Sequence, residues 1–596
     1  METIERALRA PSFVPVRRRL FRQLLESLLY EDALVHEGAD DGRCTVHGVD
    51  EHGAAVRYRF TAVRRFGFDR VSVVGTLRRE TAVSSEEPES VTRFLDEVRA
   101  ALTADDDCLT RFAHELEETL VKDALAQYVR AERSDVLREA AYDTLEGTVT
   151  DGHRYHPAYK SRIGFDIEDN LAYGPEFLRP IRPLWLAAHR SITEVTVSAD
   201  RDEAGFLLAQ LGEATLAEFN DRIRAAGGAP ADYTLLPVHP WQWRRQVTSA
   251  FSPQLRSGEL IVVGEDPHDF AAQQSIRTLS CRDEPARPYL KLALSIVNTS
   301  TSRVLAPHTV RNAPAISDWL RNVVTGDEFL RDELGLIVLG EVMGSAVTPA
   351  PAAGFARGET YGTLACIWRE SLYGFLAPGE RAVPFTALTA IELDGTAMIE
   401  PWLHATGVRE WVGRLVDVAA IPLLHLLFRH GIGCEAHAQN MVLVLRDGVP
   451  VRVALKDFHD GVRFSRDHLA DSGGCPPLAG TPAHHVNANS FLETEDVDAV
   501  TGFVLDAFCF VNLAELGMLL ADRFGLAERE FWAIVAERIR VYQERFPELA
   551  DRFALFDVNR PGVEVEKLTS RRLVPDTEPL LHTVPNPLAV RHAEVK

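Results

Sequence analysis

Few folds can accommodate the stretch from Gly433 to Gly461. Gly433-Cys434-Glu435-Ala436-His437-Ala438-Gln439-Asn440 is dense in hydrogen-bonding side chains and feeds the apolar run Met441 to Leu445. After Asp447-Gly448 a second run returns and ends in Leu455-Lys456-Asp457-Phe458-His459-Asp460-Gly461. Asp-Gly between two apolar runs predicts a tight hairpin, because both turn positions require positive φ. Such a hairpin brings Glu435, His437, Gln439 and Asn440 to the same end as Asp457. Carboxylates, amides and an imidazole gathered in this way suit a divalent cation and a polyphosphate. The competing reading is a polar turn whose His and Asn only satisfy backbone groups.

A chain of 596 residues exceeds one ordinary core, so two or three domains are expected. The formal net charge of −23 argues against nucleic acid or an anionic membrane as partner, since phosphates would be repelled except at local basic pockets. Seven scattered cysteines (44, 108, 281, 366, 434, 475 and 509) include no Cys-x-x-Cys pair, which fits a reducing cytoplasm better than a disulfide framework. Met1 to Leu29 lacks the apolar core of a secretion signal. The most apolar window, Val416 to Phe428, falls short of the roughly 18 to 20 residues of a membrane span and reads as a buried helix.

The expected class is α+β, in three regions. Residues 1–140 read as mostly helical (Phe13 to Glu31, Glu87 to Ala131) around a small sheet that includes Ala55 to Phe60 and Val71 to Val74. Residues 141–360 are β-rich, with runs at Tyr233 to Val238, Glu259 to Val263 and Tyr289 to Val297, and Gly, Pro and Ala crowd 345–358 as a loop or linker. Residues 361–596 read as helical at Thr360 to Tyr373, Val408 to His430, Asp498 to Phe524 and Glu528 to Phe546, with the hairpin 433–461 among them.

Three further segments carry chemistry. Gly152 to Phe165 packs His153, Arg154, His156, Lys160, Ser161 and Arg162 into one stretch, the donors a polycarboxylate needs, or else a solvated loop. Val238-His239-Pro240-Trp241-Gln242 follows an apolar run and marks either a cleft edge or core filling. Gln273 to Arg303 alternates Arg277, Lys291 and Arg303 with the hydroxyls of Ser275 and Thr278, on neighbouring strands. The chain has no Gly-rich phosphate loop, so phosphate must be held by side chains like these; an exposed, charge-balanced sheet is the alternative.

In their order and spacing these segments resemble the NRPS-independent siderophore synthetases, the aerobactin-synthetase-like (IucA/IucC) family. The matching positions are His153-x-x-His156-Pro157-x-x-Lys160-Ser161-Arg162, His239-Pro240-Trp241-Gln242, Ser275-x-Arg277-Thr278, Lys291, Thr301-Ser302-Arg303, Glu435-x-His437-x-Gln439-Asn440 and Lys456-Asp457-Phe458-His459. They run from about 150 to 460, with a weaker likeness out to Lys567–Leu573; residues 1–140 carry no matching motif. The resemblance implies a cupped hand of thumb, fingers and a kinase-like palm, using ATP and Mg²⁺ to adenylate a carboxylate and then an amine, hydroxylamine or alcohol to displace AMP. By position, Ser275, Arg277, Thr278 and Lys291 would grip the triphosphate, Arg303 would bridge phosphate and substrate carboxylate, and His437 would contact the α-phosphate. Glu435 and Asp457 would hold the metal with Gln439 and Asn440 nearby, and His156, Lys160, Ser161 and Arg162 would orient the acid. The His156-Pro157-x-x-Lys160-Ser161-Arg162 cluster and the Ala436-His437-Ala438-Gln439-Asn440 form are similar to the citrate-activating branch; α-ketoglutarate or a citryl or succinyl hydroxamate are the other acids of the family, and a homodimer is the expected assembly. Outside the family, a small-molecule kinase fits the His-x-x-Asn to Asp hairpin, and a non-catalytic binding protein is the third reading.

Overall fold

The structure, a computed structural model, describes residues 2–299, 301–350, 354–485, 490–575 and 580–589. Near the N-terminus, helix Phe13–Tyr30 buries Leu20, Leu24 and Leu28 along one face, the i, i+4 stripe of an amphipathic helix. It packs on the 28-residue helix Asp106–Arg133, whose first turn is capped by the Asp105 side chain accepting from the Cys108 amide. The sheet beside them is larger than expected. Five antiparallel strands run in chain order: Glu37–Gly38, Arg43–Val49, Ala55–Arg64, Val71–Glu80 and Ser85–Glu86. In the third, Val56, Tyr58 and Phe60 face the core while Arg57 and Arg59 face solvent, the period-two pattern of a half-buried strand.

The middle of the chain builds a six-stranded sheet in the order Phe270–Ala272, Thr278–Cys281, Tyr289–Leu292, Ala365–Arg369, Glu341–Val347 and Thr193–Val197. A three-stranded sheet (Tyr233–Val238, Leu184–His189, Leu260–Glu265) shares its hydrophobic core. Here one expectation is corrected. Thr360 to Tyr373 is not a helix; its centre is the strand Ala365–Arg369, with Cys366, Ile367 and Trp368 fully buried. A strand covered on both faces loses its alternation, so a short apolar run cannot be told from a buried helix by periodicity. The six-stranded sheet therefore runs past residue 360.

The C-terminal region centres on a four-stranded sheet of Ile337–Val338, Val449–Leu455, Met441–Arg446 and Glu380–Pro384. The hairpin forms where the sequence placed it, with Asp447 at φ 51° and Gly448 at φ 80°, the two positive values of a type I′ turn. Ile337–Val338 leaves the β-rich region to pair parallel with Val449–Leu455, which ties the two sheets together. Val416 to Phe428 lies inside the helix Val408–His430, with the bounds expected from sequence. It and Val497–Phe524 are long and apolar enough to cross a membrane, yet 83% and 72% of their apolar windows are buried inside the protein. They serve as core helices, packed among residues such as Trp411, Phe428, Phe464 and Trp532. All seven cysteines are buried and unbridged.

Candidate functional site

Strand pairing sets Thr278 opposite Lys291, and Tyr289 opposite Arg369 on the next strand. The Lys291 Nζ lies 3.1 Å from Asp457 Oδ2, and Arg369 Nη1 donates to Asp457 Oδ1 at 2.5 Å. Arg369 Nη2 donates to Gln273 Oε1 at 3.2 Å. Ser275 and Thr278 close the turn that presents Arg277: the Ser275 hydroxyl accepts from the Thr278 amide at 3.1 Å and donates to Thr278 Oγ1 at 2.9 Å. Arg277 donates to the Val304 carbonyl, which brings it beside Arg303, whose Nη2 donates to Asn298 O and Thr299 Oγ1. The Nε atoms of Arg277, Arg303 and Arg369 are buried with no hydrogen-bond partner among the described residues. Burial and mutual repulsion push Lys291 down to about 8 and Arg303 down to about 9, while burial alone lowers Arg277. Ile276, Thr299 and Asp457, all non-glycine, sit at φ of 61°, 61° and 66°. Such left-handed residues are uncommon and cluster at functional sites.

The hairpin loop faces these cations. The Glu435 amide donates to Gly461 O, Asn440 Nδ2 donates to Glu435 O at 3.0 Å, and Asn512 Nδ2 donates to Ala436 O at 3.2 Å. The Asn440 amide group is thus partly spent on shaping the loop, and Gln439 lies half-buried next to it. Burial pushes His437 down to about 4, so its ring is neutral at physiological pH. Burial and the neighbouring Asp460, Asp506 and Asp457 carboxylates push Glu435 up to about 7. Crowded negative charge of this kind fits a divalent cation, with Glu435 and Asp457 as the ligands expected from sequence. Asp457 itself is held well below the usual carboxylate range by Lys291 and Arg369, against the opposing effect of its burial.

The donor-rich loop divides. The rings of His153 and His156 meet edge to face with centroids 4.7 Å apart. His156 is pushed well down by burial, with His153, Arg303 and Arg572 adding to the shift, and His153 acts in the same way on His437. This half of the loop belongs to the basin. Lys160, Ser161 and Arg162, the residues expected to orient a substrate, are buried and engaged in contacts within the protein. Lys160 is 3% exposed and its Nζ is held by Thr150 O, Asp123 Oδ1 and Glu176 Oε1 at 2.7, 3.1 and 2.9 Å. Arg162 is 5% exposed and forks onto both Glu176 oxygens at 2.7 and 3.0 Å, with Asn170 at 2.7 Å. Ser161 is fully buried, and its carbonyl accepts from Lys122. Buried ion pairs this well matched are not given up cheaply. They also support the basin: the Arg162 amide donates to Asn298 Oδ1, and Ile163 bridges to Val297 at the base of the turn that carries Arg303.

The His239 segment is also scaffold. Trp241 Nε1 donates to Asp169 at 2.8 Å, and Gln242 bonds Ser295 through both ends of its amide. Two site residues escaped the sequence reading. Arg369 lay in the run misread as helix. Glu341 is fully buried and accepts from the His459 amide at 2.9 Å, with its other oxygen 2.5 Å from His459 Nδ1, which fixes the turn after Asp457. The signal for Glu341 was a lone carboxylate inside an otherwise apolar strand, since a buried charge requires a partner.

A profile described as the IucA / IucC family matches residues 141–390, and one described as a ferric iron reductase FhuF-like transporter matches residues 409–581. The chain is 40% identical over 590 residues to the citryl-spermidine/3,4-dihydroxybenzoyl-citryl-spermidine:spermidine ligase of Bacillus anthracis, covering 98% of this chain and 95% of that one. It is 39% identical to the 2-[(L-alanin-3-ylcarbamoyl)methyl]-3-(2-aminoethylcarbamoyl)-2-hydroxypropanoate synthase of Staphylococcus aureus, covering 96% and 93%. The crystal structure of the petrobactin biosynthesis protein AsbB from Bacillus anthracis superposes with a TM-score of 0.92 at 40% identity, covering 99% of this chain and 97% of that one. ATP-bound aerobactin synthetase IucA from Klebsiella pneumoniae shares the fold at a TM-score of 0.74 and 18% identity, covering 96% and 99%. The chain belongs to the IucA/IucC family of siderophore synthetases.

Proposed function

We propose that this siderophore-biosynthesis ligase adenylates a citrate-type carboxylate with ATP and Mg²⁺ and passes the acyl group to an amine. The observation that carries the reading is an excess of cations. Arg277, Lys291, Arg303 and Arg369 gather where Asp457 ion-pairs with Lys291 and Arg369, while Arg277 and Arg303 form no ion pair among the described residues, in a chain of net charge −23. Such a basin suits a polyphosphate, and a transition state that crowds anionic oxygens at one phosphorus is stabilised by fixed cations of this kind. In the first step a carboxylate oxygen attacks the α-phosphorus and the bond to pyrophosphate breaks. In the second the amine nitrogen attacks the acyl carbon, AMP departs, and a proton is lost.

Lys291, Arg277 and Arg369 would hold the triphosphate with Ser275 and Thr278 shaping their turn, and Arg303 would span phosphate and carboxylate. His437, neutral through burial, would donate a hydrogen bond to the α-phosphate without adding charge. Glu435 and Asp457 would hold the metal, whose role is to neutralise phosphate charge. His156 lies within reach of Arg303's charge and is the member of its loop best placed for the acid. The Bacillus relative is named for joining spermidine to citryl-spermidine, so the acid is citrate or a citrate already carrying one amide. A kinase-like phosphotransfer is disfavoured because the loop before Asn440 offers Glu435 and His437 where an Asp base would stand. The test is incubation with Mg-ATP, a panel of citrate-type acids and hydroxylamine. AMP and pyrophosphate are expected only with the cognate acid; ADP formation would overturn the proposal.

A further inference from the structure

Beyond the nucleotide basin lies a second group of imidazoles. His308 is the second residue of helix Pro307–Gly326, five positions after Arg303, and is 7% exposed. The Tyr361 hydroxyl lies 3.3 Å from His308 Nδ1 and 3.4 Å from His485 Nδ1, and the two imidazoles meet edge to face at 5.0 Å. Tyr361 also packs against His484 at 4.8 Å. The segment carrying His484 and His485 is pinned to the same helix, since Asn312 Nδ2 donates to Ala479 O at 2.9 Å and the Ala479 amide returns to Asn312 Oδ1 at 2.8 Å. His308 Nε2 is buried and has no partner among the described residues. An orphaned ring nitrogen in so ordered a cluster is unusual, because buried polar atoms are nearly always paired.

The cluster adjoins the nucleotide site through Asp460. That residue is exposed, accepts from Ser490 Oγ at 2.9 Å, and its charge acts on His308, His485, Tyr361, Glu435 and Arg277 alike. The charges facing His308 are His485, His484 and Arg311, which disfavour its protonation together with burial, and Asp460, which favours it; the balance leaves it at about 4. At physiological pH the group therefore holds a neutral His308 imidazole with Nε2 inside, lined at its solvent-facing edge by the half-buried His485 and the exposed Asp460. That set accepts N–H donors and attracts a cationic amine, and it offers little to an anion.

We propose that His308, Tyr361, His485 and Asp460 form the subsite that receives the amine nucleophile. This rests on the ligase reading above and adds the site at which the second substrate is recognised. Tyr361 fixes the His308 ring so that Nε2 accepts an N–H of the incoming amine, and Asp460 pairs with a second ammonium group of a di- or polyamine. Amine recognition is then separable from acid activation.

Two assays on the full-length protein test this. Acid-dependent exchange of labelled pyrophosphate into ATP reads adenylation alone, and amide formation with a diamine reads both steps. His308→Ala is expected to lower kcat/KM for the amine at least tenfold while exchange stays within about twofold of wild type, and His308→Gln, which keeps an acceptor, restores part of the loss. Asp460→Asn is expected to raise KM for a diamine several-fold more than for the matching monoamine. Equal loss of exchange and condensation in His308→Ala, with the melting temperature unchanged, would overturn the proposal, as would an unchanged amine KM in both His308→Ala and Tyr361→Phe. Should wild type show no acid-dependent exchange, the ligase reading fails instead.

Discussion

Lys160 and Arg162 meet Glu176, Asp123 and Asn170 in a buried cluster whose charges are matched, whereas Lys291 and Arg369 share the carboxylate of Asp457 and Arg277 and Arg303 form no ion pair among the described residues. Both groups are basic, both are buried, and both stood out in the sequence except for Arg369. What separates them is the supply of counter-charge. A cation whose partners are already present stabilises the fold, and a set of cations in excess over its partners is poised for an anion from outside.

The sharpest way to break that contrast is to alter the basin itself. Arg303→Ala, His437→Ala and Asp457→Ala are each expected to cost about 3–4 kcal/mol in transition-state stabilisation, a hundredfold or more in pyrophosphate release; the thermal transition should move little in the first two and fall in Asp457→Ala, which leaves Lys291 and Arg369 without their carboxylate. The compensated set should behave in the opposite way. Arg162→Ala leaves the buried Glu176 with Lys160 as its remaining cation and is expected to cost about 3 kcal/mol of stability by denaturant unfolding, whereas an apolar replacement of both partners, Arg162→Met with Glu176→Leu, recovers part of it while Lys160 keeps Asp123. Activity per folded molecule should fall far less than in Arg303→Ala; an equal fall would erase the distinction. Glu341→Gln sits between the two sets. It keeps the shape but weakens the hold on His459, and about a tenfold loss of turnover with a small change in melting temperature is expected.

The smallest effect is one of pH. Glu435 must be ionised to hold a cation, so Mg-ATP affinity should fall as pH drops through about 7. Lys291 must be protonated to hold phosphate, so affinity should fall again as pH rises through about 8. Calorimetric titration of Mg-ATP across that range should give a maximum between the limbs, and Lys291→Arg should flatten the alkaline one.

The sequence made some of this legible and hid the rest for physical reasons. The hairpin was readable because Asp447-Gly448 encodes its turn locally and the strands on either side are short and apolar. Helices such as Phe13–Tyr30 and Glu528–Arg545 announced themselves by period. The strand Ala365–Arg369 did not, because burial on both faces removes the alternation that marks a strand, and Arg369 went with it. Lys160 and Arg162 looked like substrate ligands because Asp123 and Glu176, which neutralise them, lie 37 positions upstream and 14 downstream of Lys160 and Arg162 respectively. Charge balance in space is not written in local sequence.

The strained backbone at Asp457, where φ is 66°, places a carboxylate between Lys291 and Arg369. On the proposed ligase reading, that carboxylate would act as a resident stand-in for phosphate. A simple anion entering the basin would have to displace Asp457 and leave it buried beside a second negative charge, with nothing to offset it. A metal–triphosphate brings both signs at once, phosphate oxygens for the two cations and a divalent ion for the freed carboxylate. On that reading, selection for the metal complex of the nucleotide over free phosphate, sulfate or metal-free nucleotide would follow from ion exchange at one aspartate, before any contact with the base or the sugar.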